Sequence, residues 1–205
     1  MDVIESVERV GHRVRIVCGG ETLYVARRLY RERPLQPGET IDLKEYEDWL
    51  LVHQYPQALD CAVSMLAQRA CATGEIRQRL TRAGYRPQTV EMVLYKLSSN
   101  ELLDDADFAR QWVQARSGRG LGAGRIAREL RQKGVTAEDA GAALAEINEE
   151  TQQENALRLA KKGLLRAKPG EDRRRTEQRV MALLARRGYG YAEAREAIAQ
   201  ARAEE

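Results

Sequence analysis

The chain has 205 residues, of which 32% are charged and 43% are hydrophobic, and its formal net charge is +3. This apolar content can bury a core, which excludes global disorder, and no stretch approaches the ~20 continuous apolar residues of a membrane span. The three cysteines, Cys18, Cys61 and Cys71, lack disulfide or metal-ligand spacing, and the amino terminus lacks a signal-peptide pattern. These features predict a cytoplasmic protein with no metal or other cofactor.

The first 57 residues are interpreted as a β-rich segment with one helix. Glycines separate three segments that alternate in polarity or are β-branched: Val3–Val10, His12–Cys18 and Glu21–Ala26. They predict a small β-hairpin or a three-stranded meander. Pro34, Pro37 and Gly38 then interrupt the chain before a helix that is predicted from about Asp42 to Gln54. Because an isolated hairpin is marginally stable, we expect this segment to pack on the helices that follow.

An internal repeat organises residues 58–205. Three segments align without gaps: Ile76–Leu97, Ile126–Ile147 and Val180–Ala201. In each segment a helical apolar pair precedes a glycine (Gly84, Gly134 or Gly188) that is expected to end the helix in the left-handed conformation, and a second helix follows. A further helical segment precedes each pair. We therefore predict a mainly α fold with three tandem three-helix repeats (58–103, 104–153 and 154–205) that stack into an elongated curved body.

Local patterns in the repeats predict helix starts and core residues. Asp104 is a candidate N-cap, because it precedes an apolar helical pattern with capping-box-like spacing. Thr73 and Thr136 are interpreted as helix starts for a similar reason. Phe108 and Trp112 lie four residues apart on one helical face, so we expect both to be structural core residues.

Charge is segregated along the repeats. Seven basic residues and one acid lie between Arg110 and Lys133, whereas six acids and no base lie between Glu138 and Glu154. Such blocks favour polarised faces that meet a charged partner, although a charge run also commonly just solvates a helix. The residues that charge alone selects as partner- or phosphate-binding are Arg110, Arg116, Arg119, Arg125, Arg128, Arg131, Lys133, Lys161, Lys162, Arg173, Arg174 and Arg175.

No catalytic constellation can be assembled from this sequence. His12 and His53 are interpreted as structural or solvent-facing residues, and no phosphate-binding loop motif is present. The glycine-rich run at residues 118–124 leaves two alternatives open. It is either a flexible linker between helices or an anion-binding concavity of backbone N–H groups beside Arg119 and Arg125.

Helix–turn–helix DNA binding is the main alternative interpretation of the repeat. In that motif the second helix enters the major groove, where acidic side chains would face phosphates. The second helix of the middle repeat contains Glu138, Asp139 and Glu146 and no basic residue. We therefore do not expect sequence-specific DNA reading, whereas contact between a basic face and an anionic assembly is expected.

Two adjacent motifs of the middle repeat resemble the core signature of the RecX family of recombination regulators. These motifs are LLDDADFARQWVQAR (Leu102–Arg116) and GRIARELRQKGV (Gly124–Val135). The segments Gly74–Tyr85 and Arg179–Ile198 resemble the first and third repeats of that family, so that the resemblance covers most of residues 58–205.

This resemblance implies a curved helical protein with no catalytic activity or cofactor, and we expect the chain to be a monomer. It also implies binding to the filament that the RecA recombinase forms on single-stranded DNA, either in the filament groove or at its growing end. Such binding would suppress strand exchange, ATP hydrolysis and the coprotease activity that triggers the SOS response. The alternative is a non-specific DNA-binding helical-repeat protein that acts without RecA.

Overall fold

The computed structural model describes residues 1–167 and 172–204, so residues 168–171 and 205 of the predicted third repeat lie outside the described residues. The described residues form two compact units, Met1–Asp104 and Asp105–Glu205. The strands are β1 (Asp2–Val10), β2 (Arg13–Cys18), β3 (Glu21–Ala26) and β4 (Thr40–Ile41). The helices are α1 (Arg27–Tyr30), α2 (Leu43–Gln68), α3 (Thr73–Ala83), α4 (Pro87–Ser99), α5 (Asp105–Ser117), α6 (Ala123–Gln132), α7 (Ala137–Ala145), α8 (Glu149–Leu164), α9 (Arg173–Arg187) and α10 (Tyr191–Ala203).

The predicted fold class is confirmed: the protein is mainly helical, with a small sheet at its amino terminus. Three successive groups of three helices, α2–α4, α5–α7 and α8–α10, correspond to the three predicted repeats. No helix in the described parts of the chain is both long enough and apolar enough to cross a membrane.

The sheet is antiparallel, with strand order β3-β2-β1-β4. Its first three strands form the predicted meander, and Val14, Ile16 and Cys18 of β2 are buried at alternate positions. Strand β4, which the sequence pattern does not predict, pairs with the start of β1. A strand of two residues is too short to show a period-2 pattern, and it forms because Ile4 exchanges 2.8 Å backbone hydrogen bonds with residues 38 and 39.

The helix predicted to end at Gln54 and the separate helix predicted from Ala58 are one element, so that prediction was wrong. Helix α2 continues for 26 residues across Pro56, and the expected boundary between residues 57 and 58 falls inside it. Pro56 removes one backbone hydrogen bond from the helix. The helix continues because Tyr46 and Leu50 before the proline and Ala58 and Ala62 after it are buried in the same core. This core includes the inner face of the sheet, which confirms that the β-rich segment packs on helices.

The turn after α3 shows the predicted left-handed glycine. Gly84 has φ +94°, and the Tyr85 N–H donates to the Leu80 carbonyl at 3.2 Å. A Cβ at Gly84 would lie 2.8 Å from the Cβ of Arg13, so glycine also lets the end of α3 contact the sheet. Helix α3 begins at Thr73 as expected, but the carboxylate of Glu75, not the Thr73 hydroxyl, accepts the N–H of residue 72 at 3.3 Å.

Asp104, the last residue of the first unit, directly precedes α5, which is the N-cap position, and its capping role stays a prediction. Phe108 is buried, with 7% of its surface exposed. Trp112 is only half-buried, so the expectation that it is a core residue was wrong. Its ring lies over the side of α6 that carries Glu129 and Lys133, and charged side chains cover it incompletely.

We expect Phe108→Ala to lower the free energy of unfolding by about 3–5 kcal/mol, because the substitution leaves a cavity in the second repeat. Trp112→Ala should cost less, since part of the ring is already in water and its contacts are largely with charged groups. Urea denaturation of both variants followed by circular dichroism tests this order. An equal or larger loss for Trp112→Ala would contradict it.

Candidate functional site

The glycine-rich run at residues 118–124 connects α5 to α6 within the second repeat and contacts the third repeat. The N–H groups of Gly122 and Gly124 donate to the carbonyl oxygens of Arg187 and Gly188 at 2.9 and 3.0 Å. Those carbonyls lie at the end of α9, where the helix dipole is negative, and they contact the positive start of α6. Neither sequence alternative describes this run: it is not a free linker, and protein carbonyls occupy the N–H groups that an anion would use.

The contact between α6 and α9 requires glycines on both sides. Gly188 has φ +94°, and a Cβ there would collide with the backbone nitrogen of Arg125. A Cβ at Gly122 would lie 2.5 Å from the carbonyl carbon of Gly188. The predicted left-handed conformations of Gly134 (φ +79°) and Gly188 are therefore confirmed, and Gly188 also sets the orientation of α6 within this unit.

The carboxylate of Glu129 collects three donors from α5 and α6. One oxygen accepts from Arg116 Nε at 2.9 Å and Trp112 Nε1 at 3.2 Å, and the other accepts from Arg125 Nε at 3.2 Å. The guanidinium of Arg116 and the Nζ of Lys133 each lie 4.1 Å from the centre of the Trp112 ring. Charge alone selected Arg116, Arg125 and Lys133 for partner binding. Instead, Arg116 and Lys133 connect α5 to α6, and Arg125 pairs with Glu129 within α6.

Three further members of the predicted basic set are also paired within the chain. Arg110 lies 3.2 Å from Asp107, Arg173 lies 3.0 Å from Glu177, and Lys161 contacts Glu204. The other six are exposed and have no ion-pair partner among the described residues. These six, which we call the free basic residues, are Arg119, Arg128, Arg131, Lys162, Arg174 and Arg175.

Two of the free basic residues lie on one side of α6. Arg128 and Arg131 are three positions apart, and they point away from Ile126 and Leu130, whose side chains are fully buried.

Helix α7, which follows α6, contains no basic residue. It begins with the predicted cap at Thr136, whose hydroxyl oxygen accepts the Asp139 N–H at 3.1 Å.

Tyr189 anchors the glycine-rich run from the third repeat. Its hydroxyl donates to the Gly120 carbonyl at 3.2 Å, and burial together with the nearby Glu193 raises the pKa of Tyr189 to about 12. The unfolded chain loses this proton near its ordinary pKa of about 10, so the contribution of Tyr189 to stability is complete below pH ~10 and is lost as the pH rises toward 12.

We expect Tyr189→Phe to lower the free energy of unfolding by about 1 kcal/mol at neutral pH, because the buried carbonyl loses its donor. The difference between the parent and the variant should shrink as the pH rises through the window from 10 to 12. Urea denaturation of both proteins at several pH values measures it. A pH-independent difference would contradict the shifted pKa.

Comparison with known proteins identifies the family. Residues 104–144 match the model of the second three-helix domain of RecX, and residues 150–198 match that of the third. The regulatory protein RecX of Mycobacteroides abscessus is 40% identical over 152 residues, which cover 73% of this chain and 74% of that protein. The chain belongs to the RecX family of regulatory proteins.

A second RecX sequence and two RecX crystal structures are also similar to this chain. RecX of Mycobacterium marinum is 36% identical over 143 residues, covering 69% of this chain and 83% of that protein. A crystal structure of a regulatory protein RecX matches 98% of this chain and all of its own, with a TM-score of 0.66 and 26% identity. The crystal structure of RecX from Lactobacillus salivarius shows the same fold, with a TM-score of 0.64 and 20% identity. The match covers 72% of this chain and 96% of that one.

Proposed function

We propose that this RecX-family chain binds the filament that RecA forms on single-stranded DNA and inhibits it without catalysing a reaction. Membership of a family of regulatory proteins supports a regulatory role. The inhibition would act by obstruction, either in the filament groove or at the growing end. The chain would thereby regulate homologous recombination, DNA repair and the SOS response. Because RecA assembles on chromosomal DNA, the chain would act in the cytoplasm.

The observation that carries the proposal is the division of the basic residues into two sets. Six of the charge-selected residues are already paired within the chain, whereas the six free basic residues face solvent and have no ion-pair partner among the described residues. Guanidinium groups bind carboxylates and phosphates through paired hydrogen bonds, and a filament of protein on DNA presents both. The free basic residues are therefore the candidate contacts with the filament.

The start of α9 supports the same assignment. Arg173, Arg174 and Arg175 occupy its first turn, where the helix dipole disfavours positive charge. Glu177 neutralises the positive charge of Arg173, but Arg174 and Arg175 have no ion-pair partner among the described residues. An anionic partner at this end of α9 would offset both the dipole and the repulsion between neighbouring arginines.

The test is RecA-catalysed ATP hydrolysis on single-stranded DNA, combined with a pull-down of RecA by the full chain with and without DNA. We expect slower hydrolysis and DNA-dependent capture of RecA. Inhibition at much less than one chain per RecA subunit would indicate blocking of filament growth, and inhibition that requires near-equal amounts would indicate groove binding. Unchanged hydrolysis together with no capture would contradict the proposal.

The same arginines favour one second candidate, a non-specific DNA-binding protein that acts without RecA. Its affinity for bare DNA would equal that for RecA filaments, and log K would fall with log salt by about 0.9 for each phosphate contacted on a duplex. The free chain and the filament can be titrated side by side at several salt concentrations. Tighter binding to the filament at every salt concentration would exclude this candidate.

A further inference from the structure

A cavity of about 410 Å³ lies within the second unit, between the end of α7, the first turns of α8 and one face of α10. Its apolar wall includes Leu144 and Ile147, and its acidic wall consists of Glu149, Glu193 and Glu196. None of the described residues around it is basic. Glu149 comes from the acidic segment between Glu138 and Glu154, whereas Glu193 and Glu196 come from α10. The cavity has no role in the proposed filament contacts.

A buried amide at this cavity lacks hydrogen-bond partners. Gln152 lines the cavity with only 8% of its surface exposed, and neither its Oε1 nor its Nε2 has a partner. Buried polar atoms in folded proteins are almost always paired, so both polar atoms of this amide are available to a ligand that enters the cavity. The carboxylates of Glu149 and Glu196 likewise have no ion-pair partner among the described residues, whereas Glu193 accepts the Gly190 N–H at 2.6 Å.

The chemistry of these groups favours an organic cation as the ligand. Three carboxylates exclude an anion. In the part of the chain that the structure describes, no three His, Cys, Asp or Glu side chains are close enough to hold a metal ion. A planar guanidinium has five N–H donors, enough to serve separate carboxylates and an amide oxygen, and its methylene stem suits an apolar wall.

We propose that this cavity binds an arginine side chain of a partner polypeptide. The guanidinium donates to Glu149, Glu196 and Oε1 of Gln152, whose amide turns toward the cavity when the ligand enters. The methylene groups of the arginine pack against Leu144 and Ile147. This site goes beyond the proposed function, because it recognises a basic partner, whereas the free basic residues recognise an anionic one.

Two capped pentapeptides, Ala-Leu-Arg-Leu-Ala and the same peptide with citrulline in place of arginine, test the proposal by NMR titration of the full chain. Citrulline keeps the shape of arginine but removes the charge. We expect the arginine peptide to bind about tenfold more tightly or better and to shift the side-chain amide signal of Gln152. That signal is assigned by its loss in Gln152→Leu.

The variants Glu149→Gln and Glu196→Gln, combined, should weaken binding of the arginine peptide about tenfold or more. The combined variants Glu138→Gln and Glu154→Gln remove the same charge from exposed helix positions outside the cavity and should leave the Kd within about twofold. Equal affinity for both peptides, absence of binding, or equal weakening by the control pair would overturn the proposal. The peptide comparison uses the parent chain, so its result does not depend on how any variant folds.

Discussion

Gly188→Ala should lower the free energy of unfolding of the second unit by about 4 kcal/mol. About 1 kcal/mol or more comes from placing a side chain at φ +94°. The remainder comes from the collision of the new Cβ with Arg125 and from loss of the hydrogen bonds from Gly122 and Gly124 to the end of α9. The chain has two tryptophans, Trp49 in the first unit and Trp112 in the second. With Trp49 replaced by phenylalanine, the fluorescence of Trp112 during urea denaturation measures unfolding of the second unit.

Two control glycines separate the causes of this loss. Gly141 lies inside α7 with nothing within 4 Å of an added Cβ, so Gly141→Ala should stabilise the unit by up to about 1 kcal/mol. Gly11, in the first unit, has φ +60° and the same open surroundings, so Gly11→Ala should show the conformational cost alone, about 1–2 kcal/mol. This control is followed through the fluorescence of Trp49, with Trp112 replaced by phenylalanine. If Gly188→Ala cost no more than Gly11→Ala, the contact between α6 and α9 would not stabilise the unit.

The combined variant Arg128→Glu and Arg131→Glu should weaken inhibition of RecA ATP hydrolysis about tenfold or more. Both side chains are exposed and free of ion pairs among the described residues, so that charge reversal removes contacts with the filament and leaves the fold intact. Arg125 is unsuitable for this test, although the sequence suggests it equally, because its reversal would place a second carboxylate beside Glu129. The concentration of the chain that halves the ATPase rate measures the effect.

The matched control is Arg79→Glu combined with Arg82→Glu. These arginines are exposed on α3, the helix of the first repeat that corresponds to α6, and they lack ion-pair partners among the described residues. The control introduces the same change in net charge. An equal loss of inhibition in the control would mean that total charge, and not the side of α6 with Arg128 and Arg131, governs binding to the filament.

Most of the helical architecture could be predicted from the sequence, because the signals are local. A left-handed glycine four residues after a buried residue, as in Leu80 and Gly84, is visible within one turn of helix. The errors arose where distant residues compensate for a local cost. Helix α2 continues through Pro56 because residues on both sides of the proline reach one core, and β4 exists only because β1 is there to pair with it.

The candidate site could be predicted only as a list of charges. Arg125 and Arg128 are equivalent in the sequence, since both are arginines on the same helix in the same basic block. They differ in the structure because the carboxylate of Glu129 accepts from one and not the other. The cavity beside Gln152 left no signal in the sequence, because its walls come from α7, α8 and α10.

The three-helix repeat, its glycine turns and the segregation of charge can be recognised without a structure, since each depends on residues close together in the chain. Three features follow from contacts between distant residues: which basic side chains form ion pairs within the chain, which carbonyls accept the N–H groups of the glycine-rich run, and where acidic side chains surround a cavity. The physical reason is that hydrogen bonds and ion pairs act over a few ångströms, whereas their partners, such as Gly124 and Gly188, lie far apart in the chain.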